Sequence, residues 1–248
     1  MVSRKLSGFI IKRTNFGESD KILTLFTKEE GKIKVIAKGT RKMKSKFSGH
    51  TELMSKANFV ISKGKTFGIV TEVDLEENFV GLNLNLKNLK NLYFIIEVIE
   101  KSLPEKYPAP ELFKLYNDCF YGYKKTGKDE LIKLYFISHF LRISGQFPHI
   151  KRCVKCSERP IGKYFFSNMA CGVLDINCSK IFPDRKQVDR DFLKLWKYIS
   201  EESIENISRI NIPNKLFKET TSTANNYFFS ISDLSLKSTK LDSVQNFI

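Results

Sequence analysis

Residues 21–38 read Lys-Ile-Leu-Thr-Leu-Phe-Thr-Lys-Glu-Glu-Gly-Lys-Ile-Lys-Val-Ile-Ala-Lys. The first part, residues 21–28, is a compact run of β-branched, aliphatic and aromatic side chains, which favour extended backbone. Two glutamates and Gly31 follow it, and a glycine at such a point is typical of a tight turn. The stretch therefore predicts two strands joined by a short connection.

The second strand, residues 32–38, shows an alternating pattern. Its apolar side chains are Ile33, Val35 and Ala37, and its charged side chains are Lys32, Lys34 and Lys38, with Ile36 as the exception on the charged side. Alternation with a period of two is typical of a half-buried strand. We therefore predict a strand with one face in a core and a cationic outer face.

Three similar segments lie on either side of this pair. Residues 5–13, 52–62 and 66–75 each read as a strand, and Gly64 lies in the connection between the last two. Closure into a small barrel removes the unpaired edges of such a set. We expect a five-stranded barrel over residues 1–80.

The period changes after Gly81, and apolar residues then recur at helical spacing. Residues 130–143 are apolar nearly all round, which predicts a central buried helix. A further helix, with Trp196 facing inward, follows Pro183, whereas residues from Pro213 onward show only weak helical signals. The predicted class is therefore α+β, with a helical domain over residues 81–248 that contains a cysteine-bearing loop at 150–182.

Composition narrows the possible functions. The formal net charge is +15, and residues 1–50 hold 13 Lys or Arg against 4 Asp or Glu. A basic protein of this kind attracts polyanions such as nucleic acid. No apolar run approaches 18 residues, so we expect no membrane span and a cytoplasmic location.

The strongest local concentration of charge is the connection after the alternating strand, where five of residues 38–47 are cations. Flexible cations beside a sheet, with Phe47 available for stacking, suit a groove that follows a single strand without reading its sequence. The predicted phosphate contacts are Arg13, Lys21, Lys38, Arg41, Lys42, Lys44 and Lys46.

Four of the five cysteines are clustered. Cys153 and Cys156 form a Cys-x2-Cys pair, and Cys171 and Cys178 follow within the same 26 residues, whereas Cys119 lies in an apolar helical stripe. Four thiolates at such spacing can complete a closed tetrahedral zinc site. The spacing predicts a structural metal site.

The N-terminal stretch resembles the RecO family of bacterial DNA repair proteins. The resemblance lies in the run Gly-Glu-Ser-Asp at 17–20, the strand-ending Thr27, the turn Gly31 and the run Ala-Lys-Gly-Thr-Arg at 37–41. It implies an OB-fold barrel, a helical domain with a zinc-finger-like element, and a non-enzymatic mediator of recombination. It also implies binding of single- and double-stranded DNA, strand annealing, and loading of recombinase. The implied partners are RecR and the C-terminal tail of single-stranded DNA-binding protein.

The same resemblance leaves two ligand sets open. Zinc-binding members of the family carry a Gly-Gly pair before a second Cys-x2-Cys; here Cys171 and Gly172 take the place of the pair, and Asp175 stands where the third cysteine would be. A carboxylate is an acceptable zinc ligand. The fourth ligand is therefore either Cys171 or Asp175, with His149 as a weaker candidate.

Two other classes of function fit parts of the sequence. An RNA- or ribosome-binding OB protein would use the same basic barrel. A metal-dependent nuclease could use the carboxylates of Asp74, Glu76 and Glu77. In contrast, Gly64-Lys65-Thr66 lacks the first glycine of a phosphate-binding loop and joins two predicted strands, so we interpret it as a hairpin turn.

Overall fold

The computed structural model describes residues 3–41, 47, 49–79 and 86–238. Five strands come first: β1 (Ser3–Phe16), β2 (Asp20–Thr27), β3 (Gly31–Ala37), β4 (Ser55–Ser62) and β5 (Gly68–Asn78). They close into a barrel in the order β1-β2-β3-β5-β4. The five predicted strands and the barrel are confirmed.

The alternation in the sequence explains which side chains fill the barrel. The interior cluster takes the apolar face of every strand: Leu6, Ile10, Leu23, Leu25, Ile33, Val35, Ala37, Ala57, Phe59, Ile61 and Val70. β1 pairs with β2 along one edge and with β4 along the other, and its register shifts between Ile10 and Lys12. A bulge of this kind bends a strand and increases its twist, which helps a sheet to close.

The chain forms two compact units. The first consists of residues 1–120 together with 236–248, and the second consists of residues 121–235. The first unit holds the barrel, α1 (Leu86–Ser102) and most of α2 (Pro110–Thr126). The sequence-based division at residue 80 coincides with the end of the barrel, whereas the compact first unit extends beyond it.

The outer side of the barrel carries an aromatic cluster. Phe9 and Phe26 are fully buried although they alternate with interior residues. The Phe9 ring lies 4.8 Å from Tyr116 and 5.7 Å from Phe113, and the Phe26 ring lies 5.3 Å from Phe113. Burial of such rings contributes much of a core's stability, so this part of the barrel surface is occupied by α2.

The second unit contains the end of α2 and α3 (Asp129–Ile143), α4 (Arg190–Glu201), α5 (Ile204–Arg209) and α6 (Asn214–Ile231). A small sheet of three strands, in the order β7-β6-β8, lies between α3 and α4 in the chain: β6 (Tyr164–Ser167), β7 (Gly172–Leu174) and β8 (Lys186–Val188). The sequence did not predict this sheet within the cysteine-bearing loop.

α3 is buried along most of its length, as predicted. The indole Nε1 of the fully buried Trp196 donates to Ser138 Oγ at 3.2 Å. Phe166 and Tyr227 pack on the same indole ring. α6 is a full helix of 18 residues, longer than the weak signals in the sequence predicted. Its buried face includes two threonines, which weaken the apolar periodicity. Among the described residues no helix is both long and apolar enough to cross a membrane.

Candidate nucleic-acid interface and metal centre

One end of the barrel is built from the β1–β2 turn and the segment that follows β3. Asp20 Oδ1 accepts the backbone N–H of Gly39 at 2.8 Å, and the carbonyl of Ser19 accepts the N–H of Arg41 at 3.0 Å. Gly17 and Gly39 both have positive φ, which glycine adopts at little cost. Asp20 therefore has a structural role, because its carboxylate caps a backbone N–H. We name this surface, residues 16–21 with 38–41, the barrel end.

Four of the seven predicted phosphate contacts fall on described residues. Lys38 and Arg41 are exposed at the barrel end, and the Arg41 guanidinium donates to the Gly17 carbonyl at 3.4 Å. Lys21 is half-buried and pairs with Ala37 in the β2–β3 register, so it lies at the same end. Lys42, Lys44 and Lys46 lie outside the described residues.

Arg13 has an intramolecular partner. Its Nη1 lies 2.6 Å from Glu52 Oε2 and donates to the Thr51 carbonyl at 3.3 Å. An ion pair holds the guanidinium in place but also offsets its charge. Arg13 is therefore less available to a phosphate than Lys38 or Arg41.

The cationic outer face predicted for β3 is largely engaged by the chain itself. Lys34 forms an ion pair with Glu105, and Lys32 Nζ donates to the carbonyl of Glu100. The carbonyl of Lys32 accepts the backbone N–H of Lys106 at 2.8 Å. The predicted alternation and cationic outer face are confirmed, and the structure adds that Lys32 and Lys34 are engaged by Glu100 and Glu105.

The aromatic residue suggested for stacking is also placed differently. Phe47 is half-buried and packs against the barrel interior. Phe16, the last residue of β1, is 46% exposed beside the Gly17 turn. Sequence reasoning missed Phe16, although its position directly before the turn glycine was a usable signal.

The loop between β4 and β5 adds cations that the prediction omitted. Lys63 and Lys65 are exposed, and neither has an ion pair among the described residues. In OB folds this loop, the β1–β2 loop and the β2–β3 face are the usual nucleic-acid surfaces. The interpretation of Gly64-Lys65-Thr66 as a connection between strands is confirmed.

The carboxylates of the nuclease alternative do not form a metal site. Asp74 and Glu76 alternate along β5, and Glu76 lies 3.0 Å from Lys56 Nζ in an ion pair. Among the residues that the structure describes, one group of His, Cys, Asp or Glu side chains is compact enough to hold a metal, and it contains none of Asp74, Glu76 and Glu77. The structure therefore gives no support to a nuclease centre on β5.

That compact group consists of Cys153, Cys156, Asp175 and Cys178, with all four ligand atoms within 4.8 Å of one another. Zinc–ligand bonds of about 2.0–2.3 Å place tetrahedral ligands some 3.5–3.8 Å apart, so a small inward movement would accommodate the ion. Three thiolates and one carboxylate are also donors that zinc accepts. The residues present therefore fit a zinc ion.

The local backbone positions each ligand. The Cys153 turn is joined to β7 by a hydrogen bond from the Val154 N–H to the Val173 carbonyl at 2.9 Å. Asp175 follows β7 directly, and its Oδ1 accepts the N–H groups of Asn177 at 2.7 Å and Cys178 at 2.9 Å. Its second oxygen, Oδ2, lies 3.0 Å from Cys156 Sγ. One carboxylate thus shapes the turn with one oxygen and faces the thiols with the other.

The hydrogen bonds to Asp175 shift the pKa values of this group. The backbone N–H of Cys178 and the thiol of Cys156 both donate to Asp175 and hold its pKa well below the ordinary value. The carboxylate in turn raises the pKa of Cys178 to about 12 and raises that of Cys156. A divalent cation would reverse this preference for the thiol form because it binds thiolates.

Of the two ligand sets left open by the sequence, the structure assembles the one with Asp175. Cys171 is exposed, has φ +52°, and is not a member of the group. Its left-handed backbone suits the position that a glycine holds in the family pattern. The next residue must be glycine, because a Cβ on Gly172 would lie 2.4 Å from the His149 carbonyl. His149 contributes backbone hydrogen bonds to this region and no ligand to the group.

Comparison with known proteins bears directly on this architecture. The family described as recombination protein O N terminal matches residues 1–79, and recombination protein O C terminal matches residues 85–232. The chain belongs to the RecO family. The boundary between the two matches lies just after β5, at the end of the barrel.

Individual relatives cover nearly the whole chain. The DNA repair protein RecO of Acetivibrio thermocellus is 30% identical over 227 residues, which span 90% of this chain and 89% of the relative. Proteins of the same name from Thermoanaerobacter sp. and Caldanaerobacter subterraneus are 29% and 26% identical, and each alignment spans 94% or more of both chains. These relatives are named as DNA repair proteins, which agrees with the role in DNA repair that the resemblance implied.

Proposed function

We propose that this RecO-family protein binds single- and double-stranded DNA at the barrel end, anneals complementary strands, and helps to load recombinase onto strands coated by single-stranded DNA-binding protein. The observation that carries the proposal is the geometry of the barrel end. Two hydrogen bonds fix the backbone there, Asp20 to Gly39 and Ser19 to Arg41, and the cations next to them are exposed.

The proposed mechanism is physical. Lys38 and Arg41 neutralise phosphates, and Lys21, Lys63 and Lys65 extend the cationic surface. Phosphate contacts position a strand without reading its bases. Release of counterions drives binding, and the exposed ring of Phe16 supports stacking of a base. Two strands with neutralised phosphates can approach, and base pairing then drives annealing.

The proposed partners follow from the family. RecR and the C-terminal tail of the coating protein would bind surfaces other than the barrel end, since the DNA occupies that surface. We propose that the protein acts in the cytoplasm, a location that is consistent with a role in DNA repair.

We further propose that the group of Cys153, Cys156, Asp175 and Cys178 holds a structural zinc ion. Four protein ligands leave no open coordination position for a substrate. When bound, zinc supplies a cross-link between the Cys153 turn and the segment after β7. The protein residues around it position the thiolates, through the Asp175 turn, for that cross-link.

The decisive experiment is annealing of two complementary strands that are already coated with the cognate single-stranded DNA-binding protein. We expect the full-length protein to accelerate annealing at physiological salt without nucleotide. The Lys38→Glu/Arg41→Glu variant should lose most of this acceleration, since both cations lie at the barrel end.

Other results would separate the parts of the proposal. If bare strands anneal but coated strands do not, the assignment of the coating protein as a partner is wrong, while the assignment of the DNA-binding surface stands. If neither bare nor coated strands anneal, and the protein binds RNA more tightly than DNA of matched length, an RNA- or ribosome-binding function is favoured instead.

A further inference from the structure

The three sulfur ligands of the proposed zinc site differ in accessibility. We refer to Cys153, Cys156, Asp175 and Cys178 together as the metal group. Cys156 is exposed and Cys178 is half-buried, whereas only 1% of the surface of Cys153 is exposed. A small oxidant in solution therefore reaches Cys156 first. Cysteines that bind a metal are thiolates, and the thiolate is the form that reacts with oxidants.

A second cysteine lies in the same turn as Cys156. The backbone N–H of Ser157 donates to the carbonyl of Cys153 at 2.9 Å, so residues 153–157 form a single helical turn. Cα atoms three residues apart in such a turn are separated by about 5 Å. Disulfides join cysteines whose Cα atoms are about 4.4–6.8 Å apart, and the ligand atoms of the metal group already lie within 4.8 Å of one another. The turn can therefore form a Cys153–Cys156 disulfide through side-chain rotation.

Cys178 is a less suitable partner for Cys156, because it lies on a separate segment. It begins a short 3-10 helix, Cys178–Ile181, and its backbone N–H donates to Asp175 Oδ1 at 2.9 Å. The other oxygen of the same carboxylate lies 3.0 Å from Cys156 Sγ. A Cys156–Cys178 disulfide would have to draw two segments together beside this carboxylate. The Cys153–Cys156 disulfide needs no such movement.

The carboxylate ligand limits how far the metal group can be oxidised. A site of four cysteines can form two disulfides, whereas Asp175 has no sulfur and the metal group can form one. After Cys153 and Cys156 have joined, Cys178 and Asp175 are the ligands that remain in the group. Zinc sites in proteins use at least three protein ligands. A single disulfide is therefore enough to abolish the proposed zinc site.

We propose that the metal group is a site of reversible oxidation, at which a peroxide converts Cys153 and Cys156 to a disulfide and the group then no longer holds zinc. The inference rests on the zinc site put forward under the proposed function and adds a chemical modification to it. Transient disulfides that sense oxidants occur even in compartments that keep most thiols reduced.

The reaction has two steps, and each releases a hydroxide. The Cys156 thiolate attacks one oxygen of hydrogen peroxide, so that an S–O bond forms and the O–O bond breaks. The Cys153 thiolate then attacks the Cys156 sulfur, so that the S–S bond forms and the S–O bond breaks. The two sulfurs together lose two electrons, which the two oxygens of the peroxide gain. Exchange with a dithiol reductant restores both thiols.

Oxidation should have a local structural effect on residues 175–181. The buried residue of the 3-10 helix is Ser179, whereas Ile176 and Ile181 are 44% and 59% exposed. A segment with so little buried apolar surface opens at low cost once a cross-link is lost. The neighbouring β6 has an independent anchor, because Phe166 packs on Trp196. We therefore expect residues 175–181 to loosen while β6 remains in place.

The test uses the full-length protein, whose zinc content is first measured by elemental analysis. Hydrogen peroxide is then added in steps, a coloured zinc chelator records release of the metal, and peptide mass analysis locates the disulfide. Cys171→Ser is the control, because Cys171 is exposed but lies outside the metal group. Asp175→Cys is the matched variant, since it replaces the carboxylate with a fourth sulfur. The mapping of wild type decides the question even if Asp175→Cys does not fold.

Wild type and Cys171→Ser should each release their zinc with about one equivalent of peroxide, form the Cys153–Cys156 disulfide and keep Cys178 as a free thiol. Hydrogen exchange at residues 175–181 should become faster by on the order of tenfold, with no change in β6. Dithiothreitol and added zinc should reverse both effects. Asp175→Cys should need about two equivalents of peroxide for complete oxidation, because it can form two disulfides.

Three outcomes would overturn the inference. If zinc stays bound and the thiols stay free in excess peroxide, the metal group is a purely structural site, and the proposed zinc site stands. If zinc is released but the disulfide joins Cys156 to Cys178 or involves Cys171, the assigned pair is wrong. If untreated wild type contains no zinc, the proposed zinc site fails together with the inference, whereas the annealing experiment still tests the DNA-binding function separately.

Discussion

Glu97 on α1 accepts the backbone N–H of Ser238 at 2.8 Å, although 141 residues separate the two in the chain. The other carboxylate oxygen accepts the N–H of Lys237 at 2.6 Å, and Lys101 pairs with the same group. Leu236 and Ser238 are buried. A single carboxylate thus fixes the late segment of the chain within the first compact unit.

This relationship predicts a dependence of stability on pH. Burial opposes ionisation of Glu97, but the hydrogen bonds from Lys101, Lys237 and Ser238 outweigh it and lower the pKa to about 2 from an ordinary 4.5. Because the folded pKa is depressed, the stabilisation is present above about pH 4.5 and is lost as the pH falls toward 2. Its full size is up to about 3 kcal/mol. Glu97→Gln should lower the free energy of unfolding at pH 7, and the difference from wild type should shrink by on the order of 1 kcal/mol at about pH 3.5. If denaturant titrations show the same difference in unfolding free energy between Glu97→Gln and wild type at every pH, the lowered pKa of Glu97 is contradicted.

Two turn glycines offer a matched pair of substitutions. Gly17 and Gly31 both have positive φ, but a Cβ on Gly17 meets nothing within 4 Å, whereas one on Gly31 would lie 1.9 Å from the Tyr107 carbonyl oxygen. Gly17→Ala should lower the free energy of unfolding by about 1–2 kcal/mol, which is the penalty of a left-handed backbone. Gly31→Ala should lower it by more than about 3 kcal/mol, since a clash with the Tyr107 backbone adds to the same penalty. If urea titrations show equal decreases in unfolding free energy for the two variants, the contact with Tyr107 is absent.

The metal group can be tested by ligand replacement. We expect about one equivalent of zinc in freshly purified protein, and less than about half an equivalent in Cys156→Ser or Asp175→Ala. Cys171→Ser is the matched control and should retain the metal, because Cys171 is not part of the group. Elemental analysis measures the occupancy. Loss of zinc from Cys171→Ser with retention in Asp175→Ala would favour the alternative ligand set.

The barrel end predicts a specific change in salt dependence. Lys38→Glu/Arg41→Glu should weaken binding to single-stranded DNA and reduce the slope of log K against log salt by about 1.4, for two lost contacts. Lys28→Glu/Lys106→Glu makes the same charge change at exposed residues beside the β2–β3 turn, at the other end of β2 and β3 from Lys21 and Lys38. Fluorescence anisotropy at several salt concentrations distinguishes the two. If the control variant loses as much slope as the test variant, net charge and not position determines binding.

Much of the fold could be predicted because its signals are local. The alternation over residues 32–38 identified a strand, and Gly31 identified a turn, since both depend on backbone geometry within a few residues. The paired Cys153 and Cys156 identified a metal group for the same reason. The helix α6 was underestimated because its buried face includes Thr220 and Thr223, whose polarity hides the helical period.

The sequence by itself determined the five strands of the barrel, the helices other than α6 and the cysteine pair, because each follows from the spacing of side chains along one element. Only the tertiary structure decided which distant residues meet. Glu100 and Glu105 engage Lys32 and Lys34 across some 70 residues of chain, and Asp175, not Cys171, joins the thiols. Such contacts depend on how whole helices and strands pack together. The pattern of side chains within one element does not show which distant residues it will contact.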